Sequence, residues 1–138
     1  MQTALTLETF LSLLLAVALG AIVGIERERT HKPAGLRTHM LVSLGACLFT
    51  IVSIGFSFDP ARIAAGIVAG IGFIGAGTIW AEKDKVQGIT TAASLWATAA
   101  IGLTAGIGDY PLAIVVTVLV FIILVSNSLL KRIGLEKD

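Results

Sequence analysis

The chain alternates between long apolar runs and short polar connections. Five runs within its 138 residues consist almost wholly of aliphatic, aromatic, glycine and small hydroxyl side chains. A helix rises ~1.5 Å per residue, so about 20 apolar residues cross the ~30 Å hydrocarbon core of a bilayer. Because each run has roughly that length, the pattern predicts an all-α integral membrane protein with a bundle of five transmembrane helices, at about residues 7–25, 40–57, 63–81, 90–107 and 112–130.

Two other interpretations of the runs fit the sequence less well. The helices of a soluble bundle carry a charged face toward water, and none of these five runs has such a face. A cleaved signal peptide needs basic residues before its apolar core, whereas no Lys or Arg precedes the first run and Glu8 stands at its start. The hydrophobic fraction of 56% also exceeds the roughly 45–50% typical of soluble domains. We therefore expect residues 1–138 to form one transmembrane domain in the lipid bilayer.

The basic residues are distributed unevenly between the connections. Arg62 is the only one of the ten Lys and Arg that lies on the side of the amino terminus. The other nine follow the first, third and fifth runs: Arg27, Arg29, Lys32, Arg37, Lys83, Lys85, Lys131, Arg132 and Lys137. Since basic connections stay cytoplasmic, we predict an amino terminus outside and a carboxyl terminus in the cytoplasm. The net charge of +1 gives no indication of a nucleic-acid partner.

Glycines dominate the third run, at Gly66, Gly70, Gly72, Gly75 and Gly77. Residues 70–75 match the pattern G-x-G-x-x-G, but a dinucleotide site needs a strand before the glycines and a helix after them, which a single apolar helix does not provide. Small residues at helical spacing instead allow neighbouring helices to approach closely in lipid. We predict that these five glycines serve helix packing, that the third helix is central, and that the exposed glycine faces favour a homodimer.

The fourth run carries small and hydroxyl residues at every fourth position: Thr90, Ser94, Thr98 and Gly102. Such a stripe is consistent with a polar path, but hydroxyls at these positions more often bond to their own helix or join neighbouring helices. No Asp, Glu, Lys or Arg lies in the central third of any run, which does not favour an ion-coupled carrier of the usual kind. The chain also lacks a nucleophile, a metal-ligand set or a cofactor cradle, so we expect neither an enzyme nor a bound cofactor.

The connection at residues 26–39 is the densest polar stretch. Glu26 lies at the edge of the apolar run and needs a partner, which could be Arg27, Arg37 or a bound cation. Mg²⁺ prefers carboxylates and keeps much of its hydration, so Glu26 and Glu28 are weak candidates for a metal site. Ordinary topogenic charge is the alternative. On the opposite side, Asp59 followed by a proline is typical of a helix N-cap.

Five segments together resemble the MgtC/SapB family, and the similarity covers nearly the whole chain. They are Gly24-Ile-Glu-Arg-Glu28, Lys32-Pro-Ala-Gly-Leu-Arg-Thr-His39, Asp59-Pro-Ala-Arg-Ile-Ala-Ala65, Gly70-Ile-Gly-Phe-Ile-Gly-Ala-Gly77 and Gly88-Ile-Thr-Thr-Ala-Ala-Ser-Leu-Trp96. The resemblance implies a bacterial, multi-pass protein of the inner membrane. Members similar to MgtC carry a further soluble carboxyl-terminal domain, so this chain resembles the short, membrane-only type.

The resemblance also implies a function and a set of residues. The MgtC branch is associated with growth at low magnesium and with restraint of the proton-translocating ATP synthase through contact in the membrane. Two hypotheses follow: a non-enzymatic protein of magnesium or ion homeostasis that acts on another membrane protein, or a small oligomeric channel or carrier for a cation or small solute. The positions that match the family, and that we expect to matter, are Glu26, Arg37, Thr38, Asp59, Arg62, Thr90 and Thr91.

Overall fold

A computed structural model describes residues 6–56, 59–82 and 85–132, and in these ranges the side chains other than those of residues 56, 60 and 127–132. The predicted five helices are confirmed as helices. The elements in chain order are α1 (Leu7–Arg29), α2 (Leu36–Phe56), α3 (Pro60–Ala76), β1 (Trp80–Glu82), β2 (Lys85–Gln87), α4 (Ile89–Gly106) and α5 (Tyr110–Arg132). Residue 57 of the second predicted helix lies outside the described residues, as do Lys83 and Lys137.

Three helices are long and apolar enough to cross a membrane within the described residues: Leu7–Arg29, Leu36–Gly55 and Ile89–Gly106. At ~1.5 Å per residue their 23, 20 and 18 residues extend over about 35, 30 and 27 Å. Ala61–Ala76 and Tyr110–Ser126 are shorter apolar helices. The chain is therefore a helical protein with several membrane-length segments.

The connection between α3 and α4 differs from the prediction. The third helix was expected to continue to residue 81, but α3 ends at Ala76 and a two-stranded antiparallel hairpin follows, with Trp80 opposite Gln87 and Glu82 opposite Lys85. Gly88 closes the connection with a φ of +87°, and a side chain there would overlap the Thr78 carbonyl. The fold is thus not wholly helical. The sequence did not predict the hairpin because apolar composition alone does not distinguish the end of a helix from an apolar strand.

The connection between α1 and α2 is shorter than predicted, because both helices extend into it. The carboxylate of Glu28 accepts a hydrogen bond of 2.9 Å from the Leu36 backbone N–H and thereby caps the amino-terminal end of α2. At the start of α1, the Thr6 hydroxyl accepts from the Thr9 N–H. The predicted cap before α3 is confirmed, since Asp59 Oδ1 accepts from the Arg62 N–H at 3.2 Å.

Contacts between the helices define the two ends of the bundle. His39, near the start of α2, contacts Ser94, near the start of α4, so these helices run in the same direction. Gly24 lies beside Leu36, which makes α1 antiparallel to α2, and Ser12 contacts Tyr110 at the opposite end. We call the end with the α1–α2 connection and the hairpin the basic end, and the other the Tyr110 end.

Helix α2 packs closely against both α1 and α4. A Cβ added at Gly20 would lie 2.7 Å from the His39 carbonyl oxygen, and one added at Gly106 would lie 2.8 Å from the Cys47 carbonyl oxygen. Glycine is needed at both positions because real Cβ atoms do not approach backbone so closely. The small-residue packing predicted for lipid therefore occurs, but it joins α1 and α4 to α2.

The expectation that α3 is central is wrong. Among the described elements α3 packs against α4 and, less extensively, against α2, whereas α1, α2 and α4 all contact one another. Helix α5 packs on the other side, against α1 and α4. The prediction rested on the number of glycines in α3. That number does not determine which faces of the helix another helix covers.

Candidate functional site

The glycines of α3 face open space for the most part. No atom of the described chain lies within 4 Å of a Cβ added at Gly66, Gly70 or Gly72. Gly75 contacts α4, with 3.4 Å between an added Cβ and the Cβ of Ala92, and Gly77 meets only carbonyl oxygens of its own helix. Packing of Gly66, Gly70 and Gly72 against another polypeptide stays a prediction.

An open groove of about 650 Å³ separates part of α2 from α3. Its lining is almost wholly apolar and includes Leu41, Gly45, Phe49, Gly66, Gly70 and Ile74. Thr38, one of the positions predicted from the family resemblance, also lines the groove and is half-buried. Gly66 and Gly70 thus form a side chain-free strip along an apolar depression of the surface, which we call the α3 groove.

The carboxylates proposed as weak metal candidates are both engaged with the protein. Glu26 is buried and accepts a hydrogen bond from Arg27 Nε, and the two side chains form a buried ion pair. Glu28, two residues later on the helix, is exposed and caps α2 through Leu36. Among the residues that the structure describes, no group of three His, Cys, Asp or Glu is placed to hold a metal ion.

A buried chain of hydrogen bonds joins α2 to α4 near the basic end. The His39 ring is fully buried, with Nδ1 2.9 Å from the Gly35 carbonyl oxygen and Nε2 3.1 Å from Ser94 Oγ. The Ser94 hydroxyl in turn lies 2.8 Å from the carbonyl oxygen of Thr91. One of the predicted positions, Thr91, therefore takes part in the contact, through its backbone.

The remaining predicted positions divide between the two ends of the bundle. Arg37 and Thr90 are exposed at the basic end, in the first turns of α2 and α4. Asp59 and Arg62 are exposed at the Tyr110 end, where α3 begins. Since α3 has 17 residues, the two groups lie about 25 Å apart along its axis. The seven predicted residues do not form a single site.

The polar stripe of α4 serves packing for most of its length, as the residue types favoured. Ser94 and Thr98 are buried, Thr98 donates to the Ser94 carbonyl at 2.8 Å, and Gly102 lies against the backbone of Ser43. Thr90, at the start of the stripe, is exposed. The stripe is an interface with α2.

Sequence patterns alone assign no role to His39, although its ring lies within hydrogen-bonding distance of Ser94 across the contact between α2 and α4. A signal was present, because His39, Ser43, Cys47 and Thr50 follow one another at helical spacing and give α2 a stripe of small and polar residues. That stripe and the one on α4 are now seen to face each other. Each stripe alone is ambiguous, and only their pairing identifies the contact.

Comparisons with known proteins agree with the resemblance. The model of the MgtC family matches residues 13–133. The chain is 44% identical over 130 residues to a protein of Escherichia coli K12 named "Putative magnesium transporter YhiD", covering 87% of this chain and 60% of that protein. It is 48% identical over 123 residues to "Protein MgtC" of Salmonella typhimurium, covering 88% and 52%.

A protein of Haemophilus influenzae without an assigned function is 39% identical over 135 residues, covering 89% of this chain and 57% of that protein. The chain thus spans between half and three fifths of the length of these relatives. No solved structure matches the chain.

Proposed function

The chain belongs to the MgtC family, and on this basis we propose that it serves magnesium homeostasis as a multi-pass protein of the bacterial inner membrane. The name of the E. coli relative supports the link to magnesium, and the membrane-length helices support the location. Because the chain covers only part of its relatives, the activity of the whole relative is carried over as a proposal.

The proposal includes the mode of action: contact with another membrane protein. The observation that carries it is the close packing of α2 between α1 and α4. The atoms of α2 that face Gly20, Gly24, Gly102 and Gly106 leave no room even for a methyl group. An ion path through this interior would require the three helices to separate. The α3 groove, by contrast, offers backbone at Gly66 and Gly70 to a helix of a partner.

The orientation follows from the positions of the basic residues. The described connections with Arg29, Lys32 and Lys85 lie at the basic end, and Arg62 lies at the Tyr110 end. We place the basic end in the cytoplasm, the amino terminus outside and the carboxyl terminus inside, with five spans. A partner would then meet the α3 groove within the bilayer.

A flux measurement distinguishes contact from transport. The purified chain in proteoliposomes is expected to carry no Mg²⁺ under an inward gradient and a membrane potential. The second candidate is a channel or carrier, which the name of the E. coli relative favours. Mg²⁺ flux through the wild-type chain would establish that candidate and refute the contact mechanism.

The contact itself is tested by photo-crosslinking in native membranes. A benzophenone amino acid at position 70 faces the groove, whereas one at Ala65 lies about 140° around α3 and serves as the matched control. We expect position 70 alone to yield a defined adduct with a second membrane protein. The family resemblance implies that this second protein is a membrane subunit of the proton-translocating ATP synthase.

Two results of the crosslinking change the proposal. An adduct of two copies of this chain would replace the partner with the homodimer predicted from the glycine faces. Equal labelling of lipid at positions 65 and 70 would contradict the contact mechanism. Growth provides the functional readout: Gly70→Leu is expected to lose complementation at limiting Mg²⁺, and Ala65→Leu to keep it, at equal amounts of protein in the membrane.

A further inference from the structure

The buried contact between α2 and α4 contains three short polar distances in series. They run from the Gly35 carbonyl to His39 Nδ1, from His39 Nε2 to Ser94 Oγ, and from Ser94 Oγ to the Thr91 carbonyl. The distances of 2.9, 3.1 and 2.8 Å are those of hydrogen bonds. A carbonyl oxygen stands at each end of the series, and a carbonyl oxygen only accepts.

Counting protons shows that only a charged ring fills all three contacts at once. Three hydrogen bonds between two terminal acceptors require three protons, and the Ser94 hydroxyl supplies one. A neutral imidazole supplies one more, on either nitrogen, so one of the three contacts then places lone pair against lone pair. An imidazolium has N–H on both nitrogens and fills all three contacts.

Burial of the ring works against an added charge, and the charged groups near the ring oppose one another in their effect on it. The charged groups that act on His39 are Glu26 and Arg27 of α1, and these form an ion pair with each other, so their effects on the ring oppose one another. Helix α4 contributes no ionisable side chain. Arg37 lies two residues away on α2 with its side chain exposed. Two charge-assisted hydrogen bonds, to Gly35 and Ser94, favour the charged ring against this desolvation.

We propose that His39 and Ser94 form a proton-binding site inside the helix bundle, in which a proton taken up by the ring completes the hydrogen bond between α2 and α4. The proton leaves water at the basic end and resides on His39, and no other bond forms or breaks. With the proton bound, Ser94 accepts from the ring and donates to Thr91. Without it, the Ser94 hydroxyl bonds either the ring or Thr91, and the contact between the helices is weakened.

This site goes beyond the proposed function, and it holds whether or not the chain acts on magnesium. Its consequence is that the stability of the α2–α4 interface depends on pH. Helix α4 is connected through the hairpin to α3, so a change in the position of α4 would reach the α3 groove.

Nitrogen NMR of the full chain in lipid nanodiscs tests the proposal directly. Histidine labelled with ¹⁵N reports which ring nitrogens carry protons, and the exposed His31 provides an internal reference. We expect His39 to show two protonated nitrogens at the acidic end of about pH 5–8, and its neutral form to grow as the pH rises.

Two variants separate this site from a merely buried histidine. A hydrogen bond to a charged group is worth about 1.5 kcal/mol or more, so Ser94→Ala is expected to lower the ratio of charged to neutral His39 at a fixed pH by about tenfold. Ser43→Ala is the matched control, because Ser43 is a buried serine one turn from His39 whose hydroxyl has no partner among the described residues. It is expected to leave the ratio unchanged.

Three results would overturn the proposal. They are a His39 ring that keeps a single proton at every pH at which the chain is folded, a ratio that Ser94→Ala does not change, and equal effects of the two alanine variants. Unchanged helical circular dichroism and an unchanged His31 signal establish that the variants are folded, and both replacements only shorten a small side chain.

Discussion

The packing of α4 against α2 predicts opposite consequences for two glycine-to-alanine substitutions. A Cβ at position 102 would overlap the carbonyl oxygen of Ser43 and lie 2.8 Å from its carbonyl carbon. Both are backbone atoms and cannot rotate away. At position 70 no atom of the described chain lies within 4 Å of the added Cβ. Gly102→Ala is therefore expected to destabilise the bundle, and Gly70→Ala is not.

The magnitude follows from the separation that the added methyl group requires. Ordinary contacts of a Cβ lie at 3.4 Å or beyond, and the Ser43 carbonyl oxygen is the atom nearest to the added Cβ, so α2 and α4 must move apart by roughly 1 Å. Overpacking of this kind costs about 1–3 kcal/mol. The same movement would stretch the His39–Ser94 contact, now 3.1 Å, beyond hydrogen-bonding distance. The gain of alanine in helix propensity, up to about 1 kcal/mol, applies to both variants and cancels in the comparison.

The assay is reversible unfolding of the purified chain in mixed micelles with increasing dodecyl sulfate, followed by circular dichroism. Gly102→Ala is expected to be less stable than Gly70→Ala by about 1–3 kcal/mol. Equal free energies of unfolding for the two variants would refute the conclusion that α2 and α4 pack backbone to backbone at this position.

Three further predictions use the same bundle. Tyr110→Phe removes a 2.8 Å hydrogen bond to Ser12 between α5 and α1, and is expected to cost about 1 kcal/mol in the unfolding assay. Arg27→Ala leaves the Glu26 carboxylate buried without its partner and is expected to cost about 3–5 kcal/mol, whereas the exposed Arg29→Ala is expected to change stability by less than about 0.5 kcal/mol. A fluorescent reporter fused to the carboxyl terminus is expected to fold and fluoresce in the cytoplasm, and a fused periplasmic phosphatase to stay inactive.

Each of these predictions has a result that contradicts it. A Tyr110→Phe variant as stable as the wild type would mean that the contact with Ser12 contributes nothing to the docking of α5. Equal decreases in the free energy of unfolding for the two arginine variants would show that the buried Glu26–Arg27 pair contributes no more to stability than an exposed arginine. An active phosphatase at the carboxyl terminus would reverse the proposed orientation.

The positions of the helices could be predicted from the sequence because hydropathy is a local property of the chain. The start of α3 was also predictable, since Asp59 and the proline after it form a cap within four residues. The other boundaries depend on contacts across the chain. Helix α2 begins at Leu36 because the Glu28 carboxylate, eight residues earlier, binds its N–H. A hydropathy profile therefore cannot predict where α2 begins.

The candidate site was predictable only in part. The sequence indicated that Glu26 needs a partner, and the structure provides Arg27, the first of the candidates considered. It gave no role to His39, because the partner of that ring lies 55 residues away on another helix. It also assigned packing to the glycines of α3, of which only Gly75 meets a neighbouring helix among the described residues.

Hydropathy along the chain is enough to predict apolar helices of membrane length, because the free energy of transferring each residue to lipid depends on that residue and its immediate neighbours. The three-dimensional packing is needed to learn which helices contact one another, which glycines lie against backbone and which polar groups are paired. These are properties of two surfaces in contact, and Gly20, Gly70 and Gly102 are alike until the helix beside each of them is known.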